Sequence, residues 1–312
     1  PLRLAVSRTE PMSGEVMLQG QIRSIWDLVL GGERSLSGIV DGRATLGGTI
    51  NAPSADGYLN ISDGRFEDGV TGLTLEGLTL RSELNAETAR IVSFQATDGR
   101  GEDAGRVMGS GVLGLRLGSA SNLTLQLTDF RVVDTDLATA RGTGTLRVNR
   151  AESGAITLAG DLNVTEAVFS AEDLPNSSRV VELDVIEINR PGGLEDETEE
   201  SEEEAGARRS NSAIRLDIGL SSDGGGVFVT GRGLDVELAL NAEVGGSLAS
   251  PVLSGSALVV RGDYQFGGRR FIFERGGRIS LSTNPERIRL NLTATREDPT
   301  LTARIRVTGT AA

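Results

Sequence analysis

The sequence predicts an all-β fold, an elongated, twisted and mostly antiparallel sheet built from degenerate repeats. Three observations lead to this prediction. Glycine is abundant and proline scarce (42 and 8 of 312 residues), and glycine at that density without a collagen period is typical of many short strands. Apolar and polar residues alternate along most of the chain, and one pattern of glycine, proline and aromatic residues recurs. We expect roughly 20 or more strands.

The alternation has a period of two, so each segment has one apolar face and one face that carries Arg, Asp or Asn. Glycine-containing turns separate the segments, and Asp63-Gly64, Asp68-Gly69, Asp98-Gly99 and Asp223-Gly224 are predicted turns. The apolar positions of the clearest segments are the predicted lining of a lipid or client groove: Leu123, Leu125, Leu127, Leu216, Ile218, Leu238, Leu240, Leu290 and Leu292.

An internal repeat supports the same fold. Its two best copies are 198 residues apart: Gly48, Pro53, Gly57, Gly64 and Phe66 match Gly246, Pro251, Gly255, Gly262 and Tyr264. A weaker third copy has Gly160 nine residues before Phe169. The repeated unit is interpreted as strand, glycine turn, proline break, strand, glycine turn and aromatic residue. Units that cannot bury their own apolar face stack into an elongated body.

Two segments interrupt the strand pattern. Residues 21–30 have helical spacing of apolar residues, which predicts a short amphipathic helix that covers the sheet or plugs one end. Residues 190–211 are acidic and almost without apolar residues, which predicts a disordered insertion. The predicted organisation is therefore β-groove repeats over 1–189, the insertion over 190–211, and a C-terminal β region over 212–312.

The acidic insertion should be dispensable for the fold, because it has too little apolar surface to offset the entropy of ordering it. We expect that replacing Glu195–Glu204 with a short Gly/Ser linker leaves the melting temperature unchanged. A loss of more than about 1 kcal/mol of stability in a denaturant titration would show that the segment is packed.

The composition argues against catalysis. The chain has no Cys, His or Lys, so nucleophile–base pairs, nitrogen or sulfur metal sites and Schiff bases cannot be built from it. Carboxylate pairs remain, such as Asp235 and Glu237, but they share the polar face of a strand, where isolated charges keep that face solvated. The net charge of −13 argues against nucleic-acid binding. We expect no enzyme activity, no cofactor and no metal.

The most informative passage is residues 245–279, in which Gly-Gly and Pro251 precede Val260-Arg-Gly-Asp-Tyr264-Gln-Phe266-Gly-Gly268 and Phe271-Ile-Phe273. This passage resembles the C-terminal region of the TamB family, the translocation-and-assembly-module proteins of diderm bacteria. The resemblance extends to the closing residues 301–309, and residues 212–310 carry its most specific part. The family's membrane anchor, most of its β body and its extreme C-terminal segment are not expected in this chain, which begins at Pro1 and is interpreted as a fragment.

The resemblance implies an open, taco-like β-groove with an apolar lining. It implies a periplasmic bridge anchored in the inner membrane, with two kinds of partner: a phospholipid or other acyl-chain ligand, and a TamA-like outer-membrane barrel protein. The implied function is the carriage of phospholipid between the membranes, support of outer-membrane protein assembly with TamA, or both. The alternative is a purely structural β-solenoid or adhesin-like passenger with a closed core.

The motif residues of this passage are predicted to have structural roles. Gly246, Pro251, Gly255, Gly262 and Gly268 are expected to shape turns. Tyr264, Phe266, Phe271 and Phe273 are expected to pack the sheet rather than touch a ligand.

Overall fold

The chain forms one large β-sheet. The structure is a computed structural model that describes residues 10–24, 26, 34–69, 71–99, 101, 103–116, 118–172, 214–298 and 301–310. The predicted insertion at 190–211 lies outside the described residues. The strands are β1 Gly14–Gln21, β2 Arg34–Gly48, β3 Pro53–Asp68, β4 Thr74–Asn85, β5 Thr88–Thr97, β6 Arg106–Gly114, β7 Ser121–Asp134, β8 Ala138–Arg150, β9 Ile156–Ser170, β10 Ile214–Ser221, β11 Val227–Gly231, β12 Leu234–Ser247, β13 Ser250–Phe266, β14 Arg269–Phe273, β15 Arg278–Ser282, β16 Arg289–Asp298 and β17 Leu301–Thr310. A single 3-10 turn, Pro285–Arg287, precedes β16.

Neighbouring strands in the chain are neighbours in the sheet. From β1 to β9 each strand pairs antiparallel with the next. Strands β10 and β11 both pair parallel with β9 and antiparallel with β12, so together they fill one position. Strands β14 and β15 likewise share the position between β13 and β16. Among the described strands, β1 and β17 pair on one side only, so the sheet is open. The predicted all-β, mostly antiparallel fold is confirmed.

The described strands are longer than the sequence predicted. The described residues form 17 strands, and β3 and β13 reach 16 and 17 residues. The reason is that several glycines predicted to make turns lie inside strands. Asp63-Gly64 lies within β3, at a point where the pairing of β3 with β4 is irregular. Gly255 and Gly262 lie within β13. Their prediction as turn residues was therefore wrong.

Gly57 and Gly255 are glycine because the neighbouring strand comes too close for a side chain. Both have positive φ, 152° and 138°. A Cβ on Gly255 would lie 2.5 Å from the Cα of Ala242 and would collide with the carbonyl oxygen of Asn241. A Cβ on Gly57 would collide in the same way with Arg43. An interior strand glycine with this conformation marks close backbone approach rather than a turn.

The internal repeat is confirmed by strand register. Gly48 pairs with Pro53, Ala44 with Gly57, and Leu36 with Phe66, all between β2 and β3. The corresponding pairs, each shifted by 198 residues, join β12 and β13. They are Gly246 with Pro251, Ala242 with Gly255, and Leu234 with Tyr264. In the weaker copy, Gly160 in β9 also has a φ of 152° and approaches the backbone of β8.

Register irregularities occur in seven strand pairs: β2–β3, β3–β4, β4–β5, β5–β6, β7–β8, β8–β9 and β12–β13. A β-bulge bends its strand and increases the local twist. The breaks between β10 and β11 and between β14 and β15 add two further interruptions. These irregularities allow long strands to curl, so that one face of a single sheet becomes concave.

The concave face carries two apolar clusters. One is centred on β2–β9 and contains Leu127 and Phe130, and the other is centred on β11–β16 and contains Val236 and Val259. Within the segment predicted as a helix, Gln21 ends β1, Arg23, Ser24 and Trp26 are helical, and the other residues beyond Ile22 lie outside the described part. Trp26 contacts Phe66 edge-on at a centroid distance of 6.1 Å and packs on the first cluster, as expected of a helix that covers the sheet.

Candidate functional site: an apolar cavity in the curled sheet

An apolar cavity of about 570 Å³ lies against the concave face of β11–β17. This volume is within the range of small-molecule sites. Sixteen residues line it, and all but an arginine and a tyrosine are hydrocarbon side chains: Val229, Arg232, Leu234, Val236, Leu238, Val259, Tyr264, Phe266, Phe271, Phe273, Ile279, Leu290, Leu292, Ala294, Ile305 and Val307.

Curvature of the sheet makes the cavity. Val229 lies on β11 and Val307 on β17, five strand positions apart, which on a flat sheet would be roughly 24 Å. Both nevertheless line the same cavity. On β12 and β16 the lining residues alternate with polar residues that point outward. Because successive side chains of a strand point to opposite faces, the apolar residues of both strands lie on the concave face.

The cavity is accessible. Phe266 is 63% exposed and stacks on Tyr264 at a centroid distance of 6.1 Å, although both line the cavity. Ile305 and Val307, at 38% and 43% exposed, form the wall on the edge strand β17. Large apolar side chains exposed together in one concavity mark a surface that binds another apolar group. The site therefore has the geometry to hold an acyl chain or an apolar peptide segment.

The structure places three of the nine sequence-predicted lining residues in the cavity wall and six elsewhere in the sheet. Leu238, Leu290 and Leu292 lie in the cavity wall. The other predicted residues lie elsewhere in the sheet: Leu125, Leu127 and Ile218 in the first cluster, Leu240 in the second, Leu216 buried in β10, and Leu123 half-buried on β7. Ligand contact at all nine positions stays a prediction.

The motif residues of 245–279 lie in different places, some at hairpin ends and some in the cavity lining. Gly246 and Gly268 have φ of 80° and 74° at the hairpin ends of β12 and β13, and Pro251 lies at the start of β13. Tyr264, Phe266, Phe271 and Phe273 line the cavity, a position that sequence reasoning did not give them. The signal that could have located them is their clustering within ten residues on two strands that pair with each other.

A second concavity of about 620 Å³ is polar. Its lining includes Ser37, Asp63, Arg65, Glu76 and Thr97, with several glycines. Arg65 forms ion pairs with Glu67 and Glu76, so this surface is internally compensated. The apolar cavity is the better candidate site.

The carboxylates on the outer face are engaged in structural contacts. Glu237 accepts a hydrogen bond from the backbone N–H of Gly226 at 3.2 Å and pairs with Arg261. Asp263, which is buried, pairs with Arg270 at 2.6 Å. The hydrogen bond from Gly226 is the main reason that the pKa of Glu237 lies below its usual value, and Arg261 lowers it further. On the face opposite the cavity, these contacts join the residue before β11 to β12, β12 to β13, and β13 to β14.

The lowered pKa of Glu237 predicts a pH dependence. Because its carboxylate is favoured in the folded protein, the stability it contributes is present above the unfolded pKa of about 4.3 and is lost as the pH falls through the lower folded value. We expect Glu237→Gln to reduce stability at pH 7 by about 1 kcal/mol or less, since its partner is exposed. The difference from wild type should disappear toward pH 3 in urea titrations; a difference that is the same at both pH values would contradict this account.

Other kinds of site are not seen in the described residues. No cluster of three or more Asp or Glu side chains there has the arrangement of a metal site. No helix in the same residues has the length and apolar character needed to span a bilayer. The glycine-rich stretch 109–114, which spells a dinucleotide-binding pattern, lies inside β6 and pairs with β7.

The fold and the cavity together define a class of protein, an open single-sheet β-groove protein with an apolar concave face. The family model of the TamB C-terminal domain matches residues 93–312. The chain belongs to the TamB family. No curated protein and no solved structure matches it.

Membership in the TamB family implies a general function. It implies a role in the cell envelope, in outer-membrane protein assembly or lipid transport, and association with a TamA-like outer-membrane partner. The match begins within β5 and continues to the end of the chain, so it includes the whole cavity. The predicted domain boundaries stay predictions, although residues on both sides of the insertion form one sheet.

Proposed function

We propose that this chain is a segment of a periplasmic bridge whose apolar groove carries phospholipid between the inner and outer membranes. In this proposal the acyl chains occupy the concave face and the headgroup remains in water. The full-length protein is anchored in the inner membrane, and a TamA-like barrel protein is the partner at the outer membrane. The segment has no catalytic step, so its residues act by lining or shaping the groove.

The observation that supports this proposal is the nearly pure hydrocarbon lining of an open cavity. An apolar face that no second layer covers is unfavourable in water at about 25 cal/mol per Å². Acyl chains can cover it without hydrogen bonds, which suits a wall with one charged residue among sixteen. A bound protein strand would also cover it, and edge strand β17, with Ile305 and Val307 exposed, favours that second candidate.

The alternative is a closed-core structural protein. It requires a dry interior that excludes ligand, whereas the described sheet has two edges, and Phe266 is both exposed and part of the cavity wall. Openness to solvent supports the groove over the closed core.

Mass spectrometry of co-purified lipid tests the proposal. The chain, expressed in the periplasm of a diderm host and purified without detergent, should carry phospholipid that organic extraction releases. Leu292→Asp should reduce that lipid at least tenfold, because a carboxylate placed in the cavity wall must be desolvated when an acyl chain binds. Lipid-free wild-type protein, or equal lipid on both proteins, would contradict the proposal.

A further inference from the structure

Two arginines lie at one end of the strands that form the apolar cavity, Arg232 in the cavity lining and Arg296 further along β16. The turns that join β11 to β12 and β13 to β14 lie at this end, because Gly231 pairs with Leu234 and Phe266 pairs with Arg269. Strand β16 ends there too, since Asp298 pairs with Leu301. We call it the glycine-turn end. Arg232 occupies the first of these turns and, among the described residues, is the one charged residue in the cavity lining.

The conformation of Arg232 is unusual for an arginine. Arg232 and Gly233 form the two-residue turn with φ of 52° and 82°, the left-handed pair of a type I′ hairpin. Asn, Asp and Gly are the residues that adopt this conformation readily, and other residues meet a steric cost. A charged residue in a strained position in an apolar cavity lining suggests a functional role for the guanidinium.

Arg296 lies at the same end on the opposite wall. Because it is two residues after Ala294 on β16, it lies on the same face of the strand as Leu292 and Ala294, which line the cavity. Its side chain is half-buried. It pairs with Ala303 on β17, and the register of β14 against β16 places Phe271 next to it. Arg296, on β16, and Arg232, in the turn that precedes β12, therefore flank the aromatic residues at the glycine-turn end of the curled sheet.

We propose that the glycine-turn end of the cavity is a binding site for the phosphate of an amphiphile, with Arg232 and Arg296 as its donors. This deepens, and rests on, the proposed lipid-carrying function. A guanidinium has five N–H donors, so an arginine that already has a contact within the protein can donate to a phosphate oxygen as well. The hydrocarbon chain then extends from the aromatic residues toward Leu290 and Leu292. The groove would thus hold its ligand in one orientation.

Charge complementarity is the reason to choose an anionic amphiphile. The chain carries a net charge of −13, so a general attraction for anions is absent. In the cavity wall, as far as the structure describes the chain, the only charge is the positive charge of Arg232. A charge-assisted hydrogen bond to phosphate is stronger than a neutral one, and it is strengthened beside apolar side chains that exclude water.

Calorimetry with matched ligands below their micelle concentrations tests this proposal. Dodecyl phosphate should bind wild-type protein about tenfold more tightly than monolaurin, which has the same chain length and no charge. Arg232→Gln and Arg296→Gln should each remove most of that preference. Arg306→Gln, on the outward face of β17, removes the same charge and should leave the preference intact. Circular dichroism should show that each variant is folded.

The outcomes separate this proposal from the function on which it rests. Equal binding of dodecyl phosphate and monolaurin by wild-type protein would overturn the phosphate site and leave the apolar groove in place. Binding of neither ligand would overturn both. Inorganic phosphate that competes with dodecyl phosphate at similar concentrations would show a free-anion site and overturn the amphiphile assignment. Loss of the preference in Arg306→Gln would show a general charge effect instead.

Discussion

Leu290→Asp should leave the sheet folded and remove its function. Leu290 is half-buried and faces the cavity, so water can reach a new carboxylate there and the cost of burying an unpaired charge is avoided. We expect a melting temperature within a few degrees of wild type, from circular dichroism. In cells that depend on the protein, we expect an outer membrane as permeable as that of a deletion strain, because an acyl chain cannot pass the charge.

Asn291→Asp is the matched control. Asn291 is the next residue on β16, points to the outer face, and pairs in register with Arg278, so a carboxylate there is tolerated. It should retain both fold and function. If Leu290→Asp fails to fold while Asn291→Asp folds, the cavity is a closed core and the groove proposal is wrong. Leu238→Arg is a harsher version of the test, because Leu238 is only 6% exposed.

Gly255→Ala should destabilise the protein strongly. The added methyl group would lie 2.5 Å from the Cα of Ala242, on a backbone whose φ of 138° already disfavours an L side chain. Strained φ alone costs about 1–3 kcal/mol, and the clash requires β12 and β13 to separate. We expect a total loss of about 3 kcal/mol, or roughly 6–12 °C in Tm.

Gly309→Ala separates the clash from the strain. Gly309 has a similar φ of 129°, but a Cβ there would have no atom within 4 Å, because β17 is an edge strand. The control should cost about 1 kcal/mol, the strain alone. Equal losses in Gly255→Ala and Gly309→Ala, measured by denaturant titration, would show that close approach of the strands is not the reason for glycine at position 255.

The sequence predicts the face of each strand well, because side-chain direction in a strand depends only on parity. That is why Leu238, Leu290 and Leu292 could be assigned to the concave face before the fold was known. The repeat could also be found, because the β2–β3 and β12–β13 pairings place the same residue types at equivalent positions. Turns were less predictable, because Asp63-Gly64 has the local signature of a turn but lies where a neighbouring strand imposes an irregular register.

The cavity wall could be predicted only in part. Which strands face one another across the groove depends on where the irregular registers bend them, and this is a property of pairing between distant segments. Sequence reasoning therefore missed Ile305 and Val307, and it assigned Phe271 and Phe273 to packing alone. It also treated Glu237 as a simple solvated charge, whereas the carboxylate on β12 contacts both Gly226, just before β11, and Arg261 on β13.

Photo-crosslinking from adjacent positions on β16 tests the central claim most directly. A benzophenone amino acid at position 292 lies in the cavity wall, and one at position 291 lies on the outer face of the same strand. After irradiation of living cells, mass spectrometry of the purified protein should find phospholipid adducts at position 292 and none at position 291. Protein adducts in place of lipid at position 292 would favour client strands, and lipid at both positions or at neither would contradict a lipid-carrying groove.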